Sequence, residues 1–453
     1  MRHSIILFLA IMAIACTAAA ADDLQTQSPE TTVQSFTAVE GADLMAKLDA
    51  AQARARTRQT PYWSAYTFDV RPGVAVDPAV REFHGSMNTI GDTAVFVGTT
   101  AGGMTVETRN LAIFLLRDPA SNQITRMEVY NLERKREYSG YPVYWLGRAN
   151  NEESLNYLRA IAAATPLDML SERAVLGIAL HDDARVAGML KNFISTSPNQ
   201  RIRSSSVYWL GQVGGEQAFL ASLVRNDAEE KKIRRSAAYA IGQSRDRGTV
   251  ATLQGLYESV KDVEVRRSVI SAVGNSIDQQ QAFTFLLGVA KNDVDWESRR
   301  TAVRQLGHFE REGAADELIK IYANDSNVEI KKTTLRALSE SKSTRAEDKL
   351  FDVARSGESL DVRRQAIRLL GERVSQRSFE FLSATAQSTD ANAEVQVQAV
   401  RAIGERKAAE SVPLLIKIAR THPNQLVRKQ AIRSLGESGD PRAIDFFREV
   451  LSK

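Results

Sequence analysis

The sequence predicts a mainly α-helical protein, an α-solenoid of about nine to ten stacked helix pairs preceded by a small antiparallel β-domain. Three observations predict it. A phrase reading VRRQAIRLLGE at residues 362–372 returns as VRKQAIRSLGE from Val427, VQVQAVRAIGE from Val395, SRRTAVRQLGH from Ser298, VRRSVISAVGN from Val265, IRRSAAYAIGQ from Ile233 and IRSSSVYWLGQ from Ile202. IKKTTLRALSE from Ile330 belongs to the series, with Ser339 in the glycine slot. Each interval also holds a second apolar helical segment, such as residues 312–322 and 409–419, so the unit is a helix pair. Between residues 62 and 138 the apolar period changes to two, with Met127 and Val129 alternating with Arg126, Glu128 and Tyr130, which is strand spacing.

The chain opens on a segment with export character. Residues 1–21 carry Arg2, an apolar run over 5–15 and an alanine-rich site at 18–21, the pattern of a signal peptide cleaved near Ala21. A periplasmic or secreted protein is the expectation. The run is too short to span a bilayer, and the remaining sequence has no other long apolar run, so no transmembrane segment is expected. Cys16 is the only cysteine, and Ala13-Ile14-Ala15-Cys16 is similar to a lipobox, whose cysteine would carry a lipid anchor. A branched apolar residue is usual where Ala13 stands, which favours cleavage. The mature chain would then lack cysteine, excluding disulfides and thiolate chemistry.

Residues 22–60 read as a flexible leader, polar to about Ala38, with one short helix marked by Leu44, Leu48 and Ala51. Residues 61–140 read as the β-domain. Strands are expected at 93–98 and 111–116, with Tyr62, Trp63, Tyr66 and Phe68 on the first strand and the turn Asp118-Pro119-Ala120-Ser121-Asn122 between two later ones. Gly102-Gly103 marks another reversal. The aromatic cluster is read as core, because so small a sheet needs large side chains to bury enough area.

Residues 141–453 read as the array. Val143-Tyr144-Trp145-Leu146-Gly147 is identical to Val207-Tyr208-Trp209-Leu210-Gly211, 64 residues later. The glycine slot then runs through Gly147, Gly177, Gly211, Gly242, Gly274, Gly307, Ser339, Gly371, Gly404 and Gly436. On a helical wheel the ninth, fifth, second and first positions before the slot share one arc, as Val362, Ala366, Leu369 and Leu370 do. That arc is the expected buried face. The seventh and third positions, Arg364 and Arg368 in this unit, fall opposite, toward solvent. Glycine in the slot is expected to admit a close approach of the paired helix, a reading that Ser339 also satisfies.

The last unit, with Val427, Arg428, Ala431, Leu435, Gly436, Glu437, Gly439, Asp440 and Ala443, resembles the HEAT repeat of the type named after phycobilisome lyases. The resemblance covers about residues 140–453. It implies a right-handed solenoid whose second helices line a concave binding surface, and it implies no catalytic residue. The units around Gly147 and Gly177 depart from it, since Pro142 interrupts the first and Met169 stands where an arginine is usual, and are read as a cap joining the array to the sheet.

Candidate chemistry is sparse. The eighth position before the slot holds Arg203, Arg234, Arg266, Arg299, Lys331, Arg363, Gln396 and Arg428. An anion-binding row is one reading. The wheel places these residues inside the apolar arc, so a structural role is expected, each reaching a loop carbonyl or an acid of an adjoining unit among Asp227, Asp262, Asp295, Asp325 and Asp390. His181-Asp182-Asp183 has metal-like composition, and an acidic helix start is the reading preferred. No metal, cofactor or catalytic residue is expected, since no histidine or glycine motif of an active site occurs.

The reading that remains is a non-catalytic protein-interaction scaffold with a protein partner. A balance of 59 basic against 55 acidic residues, net +4, argues against nucleic acid. The partner-binding candidates are the seventh and third positions of the last units, Arg300, Arg304, Lys332, Arg336, Arg364, Arg368, Arg401, Lys429 and Arg433, which suit an acidic or extended partner, together with Tyr208 and Tyr239 in the earlier units, where Tyr144 would be a third. Against this stands neutralisation by Glu340, Glu372, Glu405 and Glu437, each four residues beyond an arginine. Two enzyme readings compete: a bilin lyase-like activity implied by the resemblance, and a hydrolase in the β-domain around His84, Ser86 and Asp92.

Overall fold

The computed structural model describes residues 36–77, 83–90, 93–100, 107–164, 168–356, 359–373, 375–388 and 392–452. The signal-like segment, most of the leader, the Gly102-Gly103 reversal, Asp92, Asp390 and the side chains of His84 and Ser86 lie outside the described residues. The chain divides into two compact units, Met1–Ser205 and Ser206–Lys453.

The first unit is built on two sheets. Its strands are β1 (Thr37–Ala38), β2 (Tyr62–Thr67), β3 (Ala75–Val76), β4 (Phe83–Ile90), β5 (Thr93–Thr100), β6 (Leu111–Arg117), β7 (Ile124–Asn131) and β8 (Val143–Arg148). A five-stranded sheet runs β1-β8-β2-β6-β7 and a three-stranded one β3-β5-β4. The β2, β6 and β7 pairings are antiparallel as expected, but β8 lies parallel to both β1 and β2, so the larger sheet is mixed. The turn after β6 is the predicted one, with Asp118 Oδ1 accepting from the Ala120 and Ser121 amides and Asn122 left-handed.

Three sequence expectations fail here for physical reasons. Val143–Arg148 is a strand, so the first expected helix of the array does not exist. Pro142 removes an amide donor and biases its predecessor to extended backbone, and its carbonyl accepts from the Trp63 amide. The leader's end is likewise no free spacer: β1 pairs with β8, and α1 (Leu44–Arg56), capped by Asp43, buries Leu44, Leu48, Ala51 and Ala55. The expected alternation along β7 also breaks down, because the sheet is covered on both faces. Phe36, Trp63, Phe114, Tyr130, Tyr138 and Trp145 pack together on one side. Glu128 is buried and survives there through Arg173 at 2.6 Å and Arg126 at 2.7 Å, since a buried carboxylate must be paired.

Helices α2 (Asn151–Ala164) and α3 (Asp168–Ala179) cover the other face, where Gly177 leaves room for Leu158, Met127 and Ile113. His181 follows α3 and is buried, stacked on Phe68. Its Nδ1 lies 2.7 Å from the Gly177 carbonyl, which only accepts, so Nδ1 carries the proton. Nε2 therefore accepts from Ser154 Oγ at 2.9 Å, and Tyr66 OH lies 3.1 Å beyond. Burial lowers the His181 pKa to about 4, so the imidazole is neutral. The serine–histidine pair is enclosed and structural. Asp183 is held to about 2 by hydrogen bonds from Arg185, and its Oδ1 accepts from the Arg185 amide that opens α4 (Arg185–Thr196), the carboxylate-to-amide contact that the helix-start reading expects.

The second unit is the regular array, entered through α5 (Gln200–Val213). First helices are α6 (Gln217–Arg225), α8 (Thr249–Ser259), α10 (Gln279–Asn292), α12 (Ala314–Asn324), α14 (Thr344–Ser356), α16 (Gln376–Ala386) and α18 (Ala408–Thr421). Second helices are α7 (Lys231–Gln243), α9 (Val263–Val273), α11 (Trp296–Leu306), α13 (Val328–Glu340), α15 (Leu360–Glu372), α17 (Ala393–Gly404) and α19 (Gln425–Glu437), with α20 (Pro441–Leu451) last. The predicted arc is buried: Val362, Ala366, Leu369 and Leu370 in α15, Val427, Ala431, Ser434 and Leu435 in α19.

Candidate partner-binding surface

Three local devices hold the second helices in line. Side-chain caps start them: Asp295, Asn327, Ser359, Asn392 and Asn424 accept from the first free amides of α11, α13, α15, α17 and α19, satisfying donors that have no intrahelical partner.

The arginine ladder is the second device. Arg203 Nε donates to the Ile194 carbonyl at 2.7 Å, Arg234 to Val224 at 2.9 Å, Arg363 to Ala354 at 2.8 Å, and Arg428 Nη1 to His422 at 2.7 Å. Arg299 reaches the Asp293 carbonyl, and Gln396 substitutes for arginine with a bond to Ser388. These acceptors are the carbonyls at or just past the end of the preceding first helix, which lack intrahelical donors and carry the negative end of the dipole. The ladder is structural, as its wheel position implied. Its partners are mostly carbonyls of the same unit; of the expected acids, Asp227 meets Arg234 and Asp325 meets Arg299, while Asp262 and Asp295 are helix caps instead. Lys331 lies over the Tyr322 ring.

The glycine slot is the third. A Cβ on Gly211 would stand 2.7 Å from the Ala240 carbonyl oxygen, on Gly242 2.3 Å from that of Ala272, and on Gly371 2.7 Å from Ala402 Cβ. Each contact is to the second position before the next slot. The close approach is therefore between successive second helices and not, as expected, with the paired helix. Gly274 and Gly307 have right-handed φ of −60° and −61°, so no left-handed cap is involved.

With second helices locked side by side, the seventh and third positions come to lie on one outward face. Neutralisation along it is partial. Of the four arginine–glutamate pairs expected within helices, Arg368–Glu372 forms, whereas Glu340 sits near His308 and neither Arg401 nor Arg433 has an ion-pair partner among the described residues. Lys332 pairs with Glu329 at 3.0 Å and Arg364 with Glu394 at 2.9 Å, and Arg300 lies over Trp296. Arg304, Arg336, Arg401, Lys429 and Arg433 are exposed.

A groove of about 250 Å³ crosses this face at α15, α17 and α19. Arg401, Lys429 and Arg433 stand around it with Arg364 and Glu394, Val397 and Leu426 add apolar wall, and Gln398 and Gln430 line it as buried amides. The structure thus brings four of the predicted residues together, while Arg300, Arg304 and Lys332 lie on earlier helices. Tyr239 is 46% exposed on α7 and accepts from Gln243. Tyr208 is half-buried, edge-on to Trp209. Tyr144 does not belong to the face; it is buried in β8 against Tyr62.

Sequence reasoning missed a larger groove of about 590 Å³ between first helices α8 and α10, lined by Gln254, Tyr257, Gln280, Thr284 and Phe285. Tyr257 OH donates to Asp293 at 2.5 Å, and burial with that carboxylate pushes the phenol up. Gly255 and Gly288, which lie two residues after the buried Leu253 and Leu286 of successive first helices, were the available signal.

The family model for HEAT repeats matches residues 218–307, 284–371 and 379–453, together just over half of the chain. No curated protein sequence matches significantly. Among solved structures, human deoxyhypusine hydroxylase in complex with glycerol is 16% identical over 64% of this chain and 96% of that one, with a TM-score of 0.27. The CpcE–CpcF complex of phycocyanin lyase from Nostoc sp. PCC7120 is 19% identical over 56% and 92%, TM-score 0.27. Importin β is 13% identical over 63% of this chain and 48% of its own, TM-score 0.34.

Proposed function

Since the chain belongs to the HEAT-repeat family, we propose that it is a non-catalytic interaction scaffold, exported to the periplasm or secreted, that binds an extended acidic protein segment across its second helices. The observation that carries this reading is the cation set Arg401, Lys429 and Arg433, exposed around one groove and without carboxylate partners among the described residues. Exposed like charges held on a rigid scaffold attract and orient an oppositely charged partner, chiefly by speeding encounter and rejecting wrong charge. Leu426 and Val397 would give such a segment an apolar foothold beside its acidic groups. Export rests on the charged start, apolar run and alanine site of residues 1–21.

The test is fluorescence anisotropy with a labelled peptide rich in Asp and Glu, repeated over a salt series. The triple variant Arg401→Glu, Lys429→Glu, Arg433→Glu should lose at least about tenfold in affinity, and the wild-type affinity should fall with salt. Equal affinity in the two proteins with an unchanged salt dependence would show the face to be solubilising surface. The intact mass of protein recovered from the native envelope checks export: a chain starting at Asp22 is expected, and one starting at a lipid-bearing Cys16 would replace it.

A further inference from the structure

The position six before each slot changes character along the array. It holds Ser236, Ser268, Thr301 and Thr333 in α7, α9, α11 and α13, then Gln365, Gln398 and Gln430 in α15, α17 and α19. Ser268, Thr301 and Thr333 spend their hydroxyls on the carbonyl four residues back in their own helix. The glutamines stand on the helices that carry the basic groove. On the wheel they lie only about 60° from the third position, which bears Arg368, Arg401 and Arg433. Gln398 is 6% exposed, lines the groove, and makes no hydrogen bond among the described residues. Gln430 is equally enclosed and lines it too; its Nε2 donates to Ser434 Oγ at 3.3 Å, which leaves Oε1 to accept. A buried carboxamide is costly without a partner. Its complement is a ligand that offers a donor and an acceptor together, as a peptide main chain does and a carboxylate alone does not.

Helix spacing selects the conformation of that main chain. A Cβ on Gly371 would stand 2.7 Å from Ala402 Cβ, and one on Gly404 2.6 Å from Ser434 Oγ, so α15, α17 and α19 are joined by two steps of the same kind. Helices packed in this way lie about 8–10 Å apart. A polyproline II segment has three residues per turn and a rise of about 3.1 Å per residue, so one face returns every ~9 Å. A β-strand turns opposite faces at residues three apart. Polyproline II also leaves its own amides and carbonyls unbonded. Resting on the acidic-partner reading above, we propose that the groove binds an acidic segment in polyproline II conformation, with carboxylates three residues apart. Arg401 and Arg433 take two successive carboxylates, and Gln398 bonds a main-chain N–H and C=O between them. Gln430 Oε1 accepts from the N–H one turn on, and Val397 and Leu426 take the small residues that intervene. Arg368 and Arg364 are engaged by Glu372 and Glu394, so the array offers two such sites here and not three.

Fluorescence anisotropy with two labelled peptides of identical composition tests the proposal. One is four repeats of Glu-Pro-Ala, with glutamates three apart; the other is shuffled so that its four glutamates occupy alternate positions and none are three apart. The first should bind at least about tenfold more tightly. Gln398→Leu should cost the first peptide about five- to tenfold, the worth of one hydrogen bond, and the shuffled peptide little. The melting temperature and the salt dependence of binding should stay as they are, because the substitution removes no charge and no hydrogen bond of the described fold. Equal affinity for the two peptides, still falling with salt, would overturn the spacing of three and leave the acidic-partner reading standing. Binding of the first peptide that Gln398→Leu leaves unchanged would overturn the main-chain contact. Failure of both peptides to bind would overturn the acidic-partner reading and this inference with it.

Discussion

The same five residues, Val-Tyr-Trp-Leu-Gly, form a parallel strand at 143–147 and part of a helix at 207–211. Their intrinsic preference is for strand, since β-branched and aromatic side chains fit a pleated surface. What differs is the flank. Five residues before Gly147 stands Pro142, and eight before it stands Ser139 with φ of 56°; the same positions before Gly211 hold Ser206 and Arg203. The first context forbids a helix and the second ties one down through the bond from Arg203 to the Ile194 carbonyl.

The final glycine is used oppositely in the two copies. Gly147 has φ of 73° where the β2–β8 register shifts, a conformation that costs other residues about 1–2 kcal/mol. Gly211 has ordinary helical backbone and is needed for the absence of a Cβ against Ala240. The largest expected effect in this comparison is therefore Gly211→Val, which forces a branched side chain into a backbone carbonyl and should destabilise the array by about 3 kcal/mol or more. Gly147→Ala should cost about 1–2 kcal/mol. Urea denaturation of both variants measures the contrast, and equal losses would mean that the two glycines serve one purpose.

Acid should separate the two contexts further. His181 is neutral in the folded strand-bearing unit with its pKa lowered to about 4, against about 6.5 when unfolded. Between these values the unfolded chain binds a proton that the folded chain does not, so stability is full above pH ~6.5 and declines as pH falls toward ~4. The loss should approach about 3 kcal/mol at the lower end. Denaturation midpoints measured across this window should flatten in His181→Gln; an unchanged slope would place the acid sensitivity elsewhere.

The helical context has a finer contrast of its own between adjacent arginines. Arg363 donates to the buried end of α14, and Arg363→Ala should cost about 2 kcal/mol, the range for a charged hydrogen bond. Arg364 makes an outward pair with Glu394, and Arg364→Ala should cost under about 0.5 kcal/mol. Similar losses in chemical denaturation would show that the wheel position carries no information about role.

Periodicity made most of the array legible. The slot, the buried arc and the ladder all follow from 3.6 residues per turn repeated at a fixed interval, because a helix pair can bury its apolar stripe only against its own partner and its neighbours. The caps were not read as such: Asp262 and Asp295, expected as partners of the ladder, accept from the first amides of α9 and α11 instead. The outward basic face was predicted from the same wheel, but which of its charges remain unpaired was not. Arg368 and Glu372 are four apart and pair; Arg401 and Glu405 are four apart and do not. Sequence spacing fixes neighbours within a helix, whereas the competing partners come from other helices, as Glu394 does for Arg364 and His308 for Glu340.

By itself, the sequence determined the repeat, its period, the side of each second helix that faces inward and the chemical class of the outward face. Those properties depend on local geometry that every copy shares. Only the tertiary structure decided that the first copy of the motif is a strand, that β8 runs parallel to β2, that the slot faces the next second helix, and that His181 and Glu128 are enclosed with partners. Each of these depends on contacts between residues distant in the chain, such as Trp63 with Pro142, Gly242 with Ala272 and Glu128 with Arg173, and a local pattern is compatible with more than one such pairing until burial selects among them.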